Sequence, residues 1–268
     1  AAERISKVMD RLGLKEGEVI ESPLINKSIE RAQKKVEGNN FGIRKHLLEY
    51  DDVMNKQREV IYTFRNKIIT SKPEDVRADI LDVVNDIVMT QCEKFLSDKK
   101  SPRAEELVDW THANFPVALD TEAVAACAGE PEEAGRLIFG KIEEAYAEKC
   151  SFENQENLPY VERMIILQSI DTQWQQFLRA MDELRHGVGL RAYGQRDPLV
   201  EYKREAFGMF EELMANIKMR IAQTIFRAYT SPETVQRLRA FVNKAMAMRS
   251  RQMASHAEVN VIASAQQM

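Results

Sequence analysis

Apolar residues recur along this chain at intervals of three and four, the period of one face of an α-helix. Leu167, Ile170, Trp174, Phe177, Met181 and Leu184 follow one another at 3-4-3-4-3 spacing. Tyr202, Ala206, Phe210, Leu213, Ile217 and Ile221 run in the same manner. Each set predicts one stripe on a helix, and the two together predict an antiparallel hairpin over 159–230. Asp197 and Pro198 suit the start of the second helix. An aspartate there can cap free N–H groups, and a proline at the first helical position loses no bond. An ordinary helical hairpin inside a bundle, with a solvated loop, satisfies the same pattern.

A longer stripe precedes it. Ile25, Ile29, Ala32, Val36, Ile43, Leu47, Tyr50, Met54, Ile61, Phe64 and Ile68 keep near-helical spacing, interrupted by the polar Asn40 and Gln57. They predict a single helix over 21–71, with Ser22 as cap and Pro23 as first residue. Such a helix would be about 70 Å long at 1.5 Å per residue. Gly38 and Gly42 weaken it by about 1 kcal/mol each relative to alanine and would mark a bend or a close neighbour. Propensity alone does not hold a helix of this length; it needs partners packed along it. A coiled-coil dimer is one alternative, though Ala32, Asn40 and Gln57 argue against a plain two-stranded zipper.

The remaining segments are shorter. Residues 1–20 read as a short helix (Ile5, Val8, Met9, Leu12) stopped at Gly13, the end of something larger. Prolines divide 72–158 into helices near 74–97, 103–114, 120–128 and 131–150, a small separate bundle. After Ser231-Pro232, Val235, Leu238, Phe241, Val242, Ala245 and Met248 predict a last amphipathic helix. The end, ASHAEVNVIASAQQM, has little periodicity and is expected to fray. The fold class is all-α.

Composition narrows this picture without changing it. The chain has 268 residues, 44% hydrophobic and 30% charged, and its 11 glycines and 8 prolines are few enough for long helices. A net charge of −4 gives no global argument for nucleic-acid binding. No apolar run is long enough to cross a bilayer, and the N-terminus lacks a signal-peptide core. Starting mid-pattern without Met, the chain is expected to be an excised fragment.

Little of its chemistry is catalytic. Cys92, Cys127 and Cys150 are far apart and form no CxxC pair, so they read as small apolar side chains rather than a zinc site. The four histidines have no second ligand at metal spacing. Gly135-Arg-Leu-Ile-Phe-Gly140-Lys141 matches the start of a phosphate-binding loop. Ile142 stands where Ser or Thr should hold magnesium, and the surrounding pattern is helical, so a bundle helix is the better reading. Glu49, Asp51 and Asp52 are the densest carboxylate group, but adjacent helix positions diverge, and Lys45, Lys56 and Arg58 are close enough to pair with them. No catalytic residue, cofactor site or metal site is read from the sequence.

One segment stands apart. Leu184 to Phe207 reads as a long, glycine-punctuated turn that presents Tyr193 among Arg185, Arg191, Arg196, Lys203 and Arg204. Function often sits on a loop held out by a rigid scaffold. A basic tip with one aromatic could meet phosphates, a lipid headgroup or a polypeptide.

The segment GLRAYGQRDPLVEYKREAF (189–207), led into by AMDELRHGVGLR, resembles the two-helix finger of the SecA preprotein translocase family. IERAQKKVEGNNFGIRKHLLEYDDVMNKQREVIY (29–62) resembles that family's long scaffold helix, and DRLGLKEGEVIESPLINKSI (10–29) the run into it from the second nucleotide-binding domain. The resemblance implies five regions: the end of that domain (1–20), a scaffold helix (21–71), a helical wing (72–158), a two-helix finger (159–230), and a C-terminal helix with a frayed tail (231–268). It implies an ATP-driven motor that pushes preproteins through the SecYEG channel, with the finger contacting the moving polypeptide and restraining ATP hydrolysis. Tyr193, Arg191, Leu190, Gln195 and Arg196 then form the tip, and Glu49, Asp51, Asp52 and Arg58 are scaffold or regulatory contacts.

Further expectations follow from the resemblance. The family's usual glycine before the tip aromatic is Ala192 here. The nucleotide-binding motifs, the preprotein cross-linking domain and the zinc tail of the family are not in this sequence, so ATP and magnesium belong to the parent motor and the fragment itself should be inactive. Implied partners are SecYEG, the preprotein and the parent's motor domains, without nucleic acid; an anionic membrane surface and a homodimer are admitted. The implied location is the cytoplasm, peripheral on the inner face of the bacterial inner membrane. A free-standing helical adaptor for a partner protein is the alternative. An ATPase in its own right is supported only by the glycine-lysine match at 135–141.

Overall fold

The computed structural model describes residues 23–98, 101–191 and 197–265, with side chains for all of these except 24, 25, 189–191 and 252–265. The described residues are all-α. In chain order the helices are α1 (Pro23–Thr70), α2 (Pro73–Leu96), α3 (Ala104–Asn114), α4 (Thr121–Ala126), α5 (Pro131–Ser151), α6 (Leu158–Arg191), α7 (Pro198–Thr224) and α8 (Thr234–Ala265). The chain divides into two compact units, one ending at Asn55 and the other beginning at Lys56.

In the first unit α1 is an unbroken helix. A Cβ added at Gly38 or Gly42 would meet nothing within 4 Å, so neither glycine marks a close neighbour. Ser22, the expected cap, lies outside the described residues.

The second unit contains all the other helices. α2 packs against α5, α6 and α7, so the helices of 72–158 share a core with the hairpin instead of forming the separate bundle expected. Val76, Ile80, Val84, Ile87 and Val88 of α2 and Ile138 and Ile142 of α5 supply that core, and Gly135 lets α5 approach Met89 closely. A Cβ at Gly135 would fall 2.1 Å from the Met89 sulfur. Gly135, Gly140 and Lys141 therefore sit inside a packed helix, which excludes a phosphate-binding loop at this place.

The aromatic centre of the second unit is Phe226, just past the end of α7. Its ring meets Phe115 and Tyr146 edge-on and stacks on Phe241 of α8, with centroids 5.7–6.4 Å apart. α8 is held further by Arg249, which donates to the carbonyls of Phe115 and Val117 at 2.5 and 2.9 Å. Its backbone stays helical through Ala265, where fraying was expected. The three cysteines are free and buried; desolvation pushes the Cys92 thiol up to about 12.

Candidate functional site

The hairpin of α6 and α7 carries the candidate tip. The turn is much shorter than its glycines suggested: α6 continues through Gly187 and Gly189 to Arg191, and α7 begins at Pro198. Lys203 and Arg204 consequently lie on a helix. Asp197 caps α7 as expected, its Oδ1 accepting from the Leu199 N–H at 2.8 Å. Tyr193, Gln195 and Arg196 lie outside the described residues, as do the side chains of Leu190 and Arg191. What the structure describes is the helical pair on either side of them.

The two helices are paired antiparallel. Ile170, Trp174, Phe177, Met181, Leu184 and Val188 of α6 are buried, as are Tyr202, Ala206, Leu213, Ile217 and Ile221 of α7. Phe177 and Phe210 meet edge-on midway along the pair, 5.9 Å between centroids. The predicted stripes are thus the seam itself, except that Leu167 and Phe210 are only half-buried.

The second part of α1, from Lys56, lies along this pair. Tyr62 meets Trp174 edge-on at 6.5 Å, and Trp174 stacks on Phe177 at 5.4 Å, so aromatic contact runs from α1 through α6 into α7. Arg65 grips Asp171 with two N–H groups at 2.9 and 3.3 Å, a bond that raises its own pKa. Gln57, 8% exposed, donates from its side-chain amide to the Ala206 carbonyl at 3.0 Å. Arg163 of α6 donates to the carbonyls of Ile68 and Ser71 at 3.1 and 2.7 Å. A cation placed there satisfies orphan carbonyls and complements the negative helix end.

At the root of the hairpin two carboxylates are buried. Glu162, 1% exposed, accepts a fork from Arg77 of α2 (2.8 and 3.3 Å) and the Tyr146 hydroxyl of α5 (2.9 Å). Burial, with the neighbouring thiol and carboxylate, pushes the Tyr146 hydroxyl far up, so it stays a donor. Glu153 follows α5; its Oε2 accepts from both the N–H and the hydroxyl of Thr230, at 2.9 and 2.5 Å. The Thr230 hydroxyl oxygen accepts in turn from the Asn154 N–H at 2.9 Å. Lys149, 1% exposed, lies 3.2 Å from Glu153 Oε1, which receives no directed hydrogen bond, so this is a contact of charges. Burial pushes the Glu153 carboxyl up, but the Thr230 bonds and the Lys149 charge together outweigh it and hold the group below its ordinary value.

The other candidate residues lie on α1. In the first unit Glu49 faces Lys45 at 3.9 Å and His46 at 3.7 Å, and Asp51 and Asp52 are exposed. Arg58, exposed, belongs to the second unit. Among the described residues no three His, Cys, Asp or Glu side chains gather as a metal site would require. Sequence reasoning missed Glu162, Glu153, Thr230 and Phe226 entirely. Only the i,i+4 spacing of Lys149 and Glu153 could have hinted at a pair.

Comparison with known proteins places this architecture. The model of the SecA wing and scaffold domain matches residues 19–229. The protein translocase subunit SecA of Geobacter metallireducens is 41% identical over 228 residues, 84% of this chain and 25% of that protein. That of Heliobacterium modesticaldum is 41% identical over 229 residues, covering 84% and 27%. That of Chlorobaculum tepidum is 41% identical over 259 residues, covering 96% and 24%. The chain spans about a quarter of the length of the curated relatives it matches. The matched residues are most of the chain, and the chain belongs to the SecA wing and scaffold domain family.

Proposed function

We propose that this chain is the scaffold, wing and finger segment of an ATP-driven motor that moves preproteins through the SecYEG channel. The reading is carried by the mounting of the α6–α7 pair, which is fixed along one side by Gln57, Tyr62 and Arg65 and at its root by Arg77, Glu153 and Phe226. A hairpin held at so many points can move as one piece with its support and deliver displacement to its tip. In this reading Tyr193, with Leu190, Arg191, Gln195 and Arg196, touches the translocating polypeptide. An aromatic side chain offers a flat surface that fits varied sequences with few rotatable bonds.

The large apolar side chains exposed on α1, among them Ile29, Phe41, Ile43 and Leu48, are read as the seat of the parent's motor domains. Glu49, Asp51, Asp52 and Arg58 are read as scaffold or regulatory contacts, and the finger region as what restrains ATP hydrolysis. The nucleotide site and its magnesium belong to those domains, so the segment alone neither binds nor hydrolyses ATP. Work at the cytoplasmic face of the inner membrane follows from the channel as partner. Among the described residues no helix is long and apolar enough to cross a membrane.

The test is Tyr193→Ala in the full-length protein. Transport of a preprotein into vesicles should fall severely while the melting temperature stays unchanged. Unimpaired transport by a folded variant contradicts the role given to the tip.

A further inference from the structure

Gln57 is an odd residue for its place. It lies on the face of α1 that also presents Ile61 and Ile68, both fully buried. Its side-chain oxygen is buried without a partner. An isosteric apolar side chain would leave no polar atom stranded. The amide is oriented by its one bond: an N–H must face the Ala206 carbonyl, since an oxygen there would face another oxygen. Ala206 lies inside α7, so its carbonyl also serves the helix's own ladder and gives Gln57 its second lone pair.

The partner position is equally particular. Ala206 is small and fully buried, which lets the Gln57 amide reach the backbone of α7. One turn to either side stand Tyr202 and Phe210, both far larger than Ala206. Apolar packing of the kind that buries Ile61 and Ile68 is non-directional and tolerates a slide along the helix axis. The hydrogen bond is directional, and a slide of one turn would strand the buried N–H groups. A single buried polar residue in an apolar helix seam is a known way of fixing register at a cost in stability.

We infer that Gln57 is a positioning residue that sets the axial register of α7, and with it the tip, against the scaffold helix. The register follows from the geometry alone; its consequence for transport rests on the function proposed above. Nitroxides attached to p-acetylphenylalanine at the exposed positions Val60 and Phe207 leave the native thiols untouched, and electron–electron double resonance then reads the distance between α1 and α7. The unsubstituted chain should give one distance. Gln57→Met should melt at the same temperature or higher, yet show a second population displaced by about 5 Å, one helical turn. Ala206→Leu, which closes the approach from the other side, should show the same population. Gln57→Leu carries the test if the methionine variant does not fold. A single unchanged distance in a folded variant at Gln57, or in Ala206→Leu, overturns the assignment. In the full-length protein Gln57→Met should also lose transport several-fold. A shifted register with unimpaired transport would leave the register assignment standing and refute the functional reading of the finger.

Discussion

The two parts of α1 are chemically alike and structurally opposite. Between Ile29 and Leu48 the helix carries Ile29, Val36, Phe41, Ile43, Leu47 and Leu48 in exposed positions, with Phe41 69% and Leu48 63% exposed. Lys34 pairs with Glu30, and Lys45 and His46 with Glu49, each about one turn away. From Gln57 onward the same helical period buries Gln57, Ile61 and Ile68 and adds Tyr62 on Trp174, Arg65 on Asp171 and Arg163 on the terminal carbonyls. A helical stripe therefore states which side chains share a face, not whether anything covers them. In the first part these large apolar side chains stand exposed; in the second, α6 and α7 supply partners.

That contrast can be broken by substitution. The largest effect is expected for Ile61→Ala, which empties a fully buried site and should cost about 2–5 kcal/mol in urea unfolding. The matched Leu48→Ala should stay within about 0.5 kcal/mol. Equal losses at the two positions would mean that the first part is as well packed as the second.

Next comes the root. Thr230→Val removes one of the Glu153 bonds that hold its carboxyl low and should cost about 1–3 kcal/mol at neutral pH. The sign of the pH effect is fixed by the lowered pKa of Glu153. Its contribution is fully present above the ordinary carboxylate range and is lost as the pH falls through the lowered value. Thr230→Val moves the folded value back toward the ordinary one, so the loss should be smaller and complete at higher pH, as read from melting temperature between about pH 6 and 3. Superimposable acid profiles would remove Glu153 from the account of the root.

Gly38→Ala and Gly42→Ala should each strengthen the first part of α1 by about 1 kcal/mol, since nothing lies near the added methyl groups. Amide exchange should slow within 26–55 and remain unchanged in the second unit. The smallest effect belongs to Arg65→Ala: this ion pair is partly exposed and screened, and its loss should cost under about 1 kcal/mol in stability.

Much of this fold could be read from the chain. The stripes of α6 and α7, the Asp197 cap and the end of the first helix at Thr70 all follow from period and turn chemistry, which are local. The glycines at 187 and 189 misled the length of the turn, because a helix paired to a neighbour tolerates glycines that an isolated one would not. The continuation of α8 past Ala254 was missed where the apolar period fades but the backbone ladder does not. The root was illegible for a different reason. Glu162 meets Arg77 across 85 positions and Glu153 meets Thr230 across 77, and no spacing rule connects residues so far apart. Gln57 was visible only as a blemish in a stripe; its partner lies 149 positions away. The tip residues were expected from resemblance alone; Tyr193, Gln195 and Arg196, and the side chains of Leu190 and Arg191, lie outside the described residues.

The central claim is that the end of the α6–α7 pair touches a moving polypeptide. A benzoylphenylalanine in place of Tyr193, in the full-length protein, tests it during ATP-driven transport of a preprotein stalled midway. The account predicts a covalent adduct between the tip and the preprotein on illumination, and none from the same probe in place of Leu48. Transport that proceeds with no adduct at the Tyr193 position would contradict it.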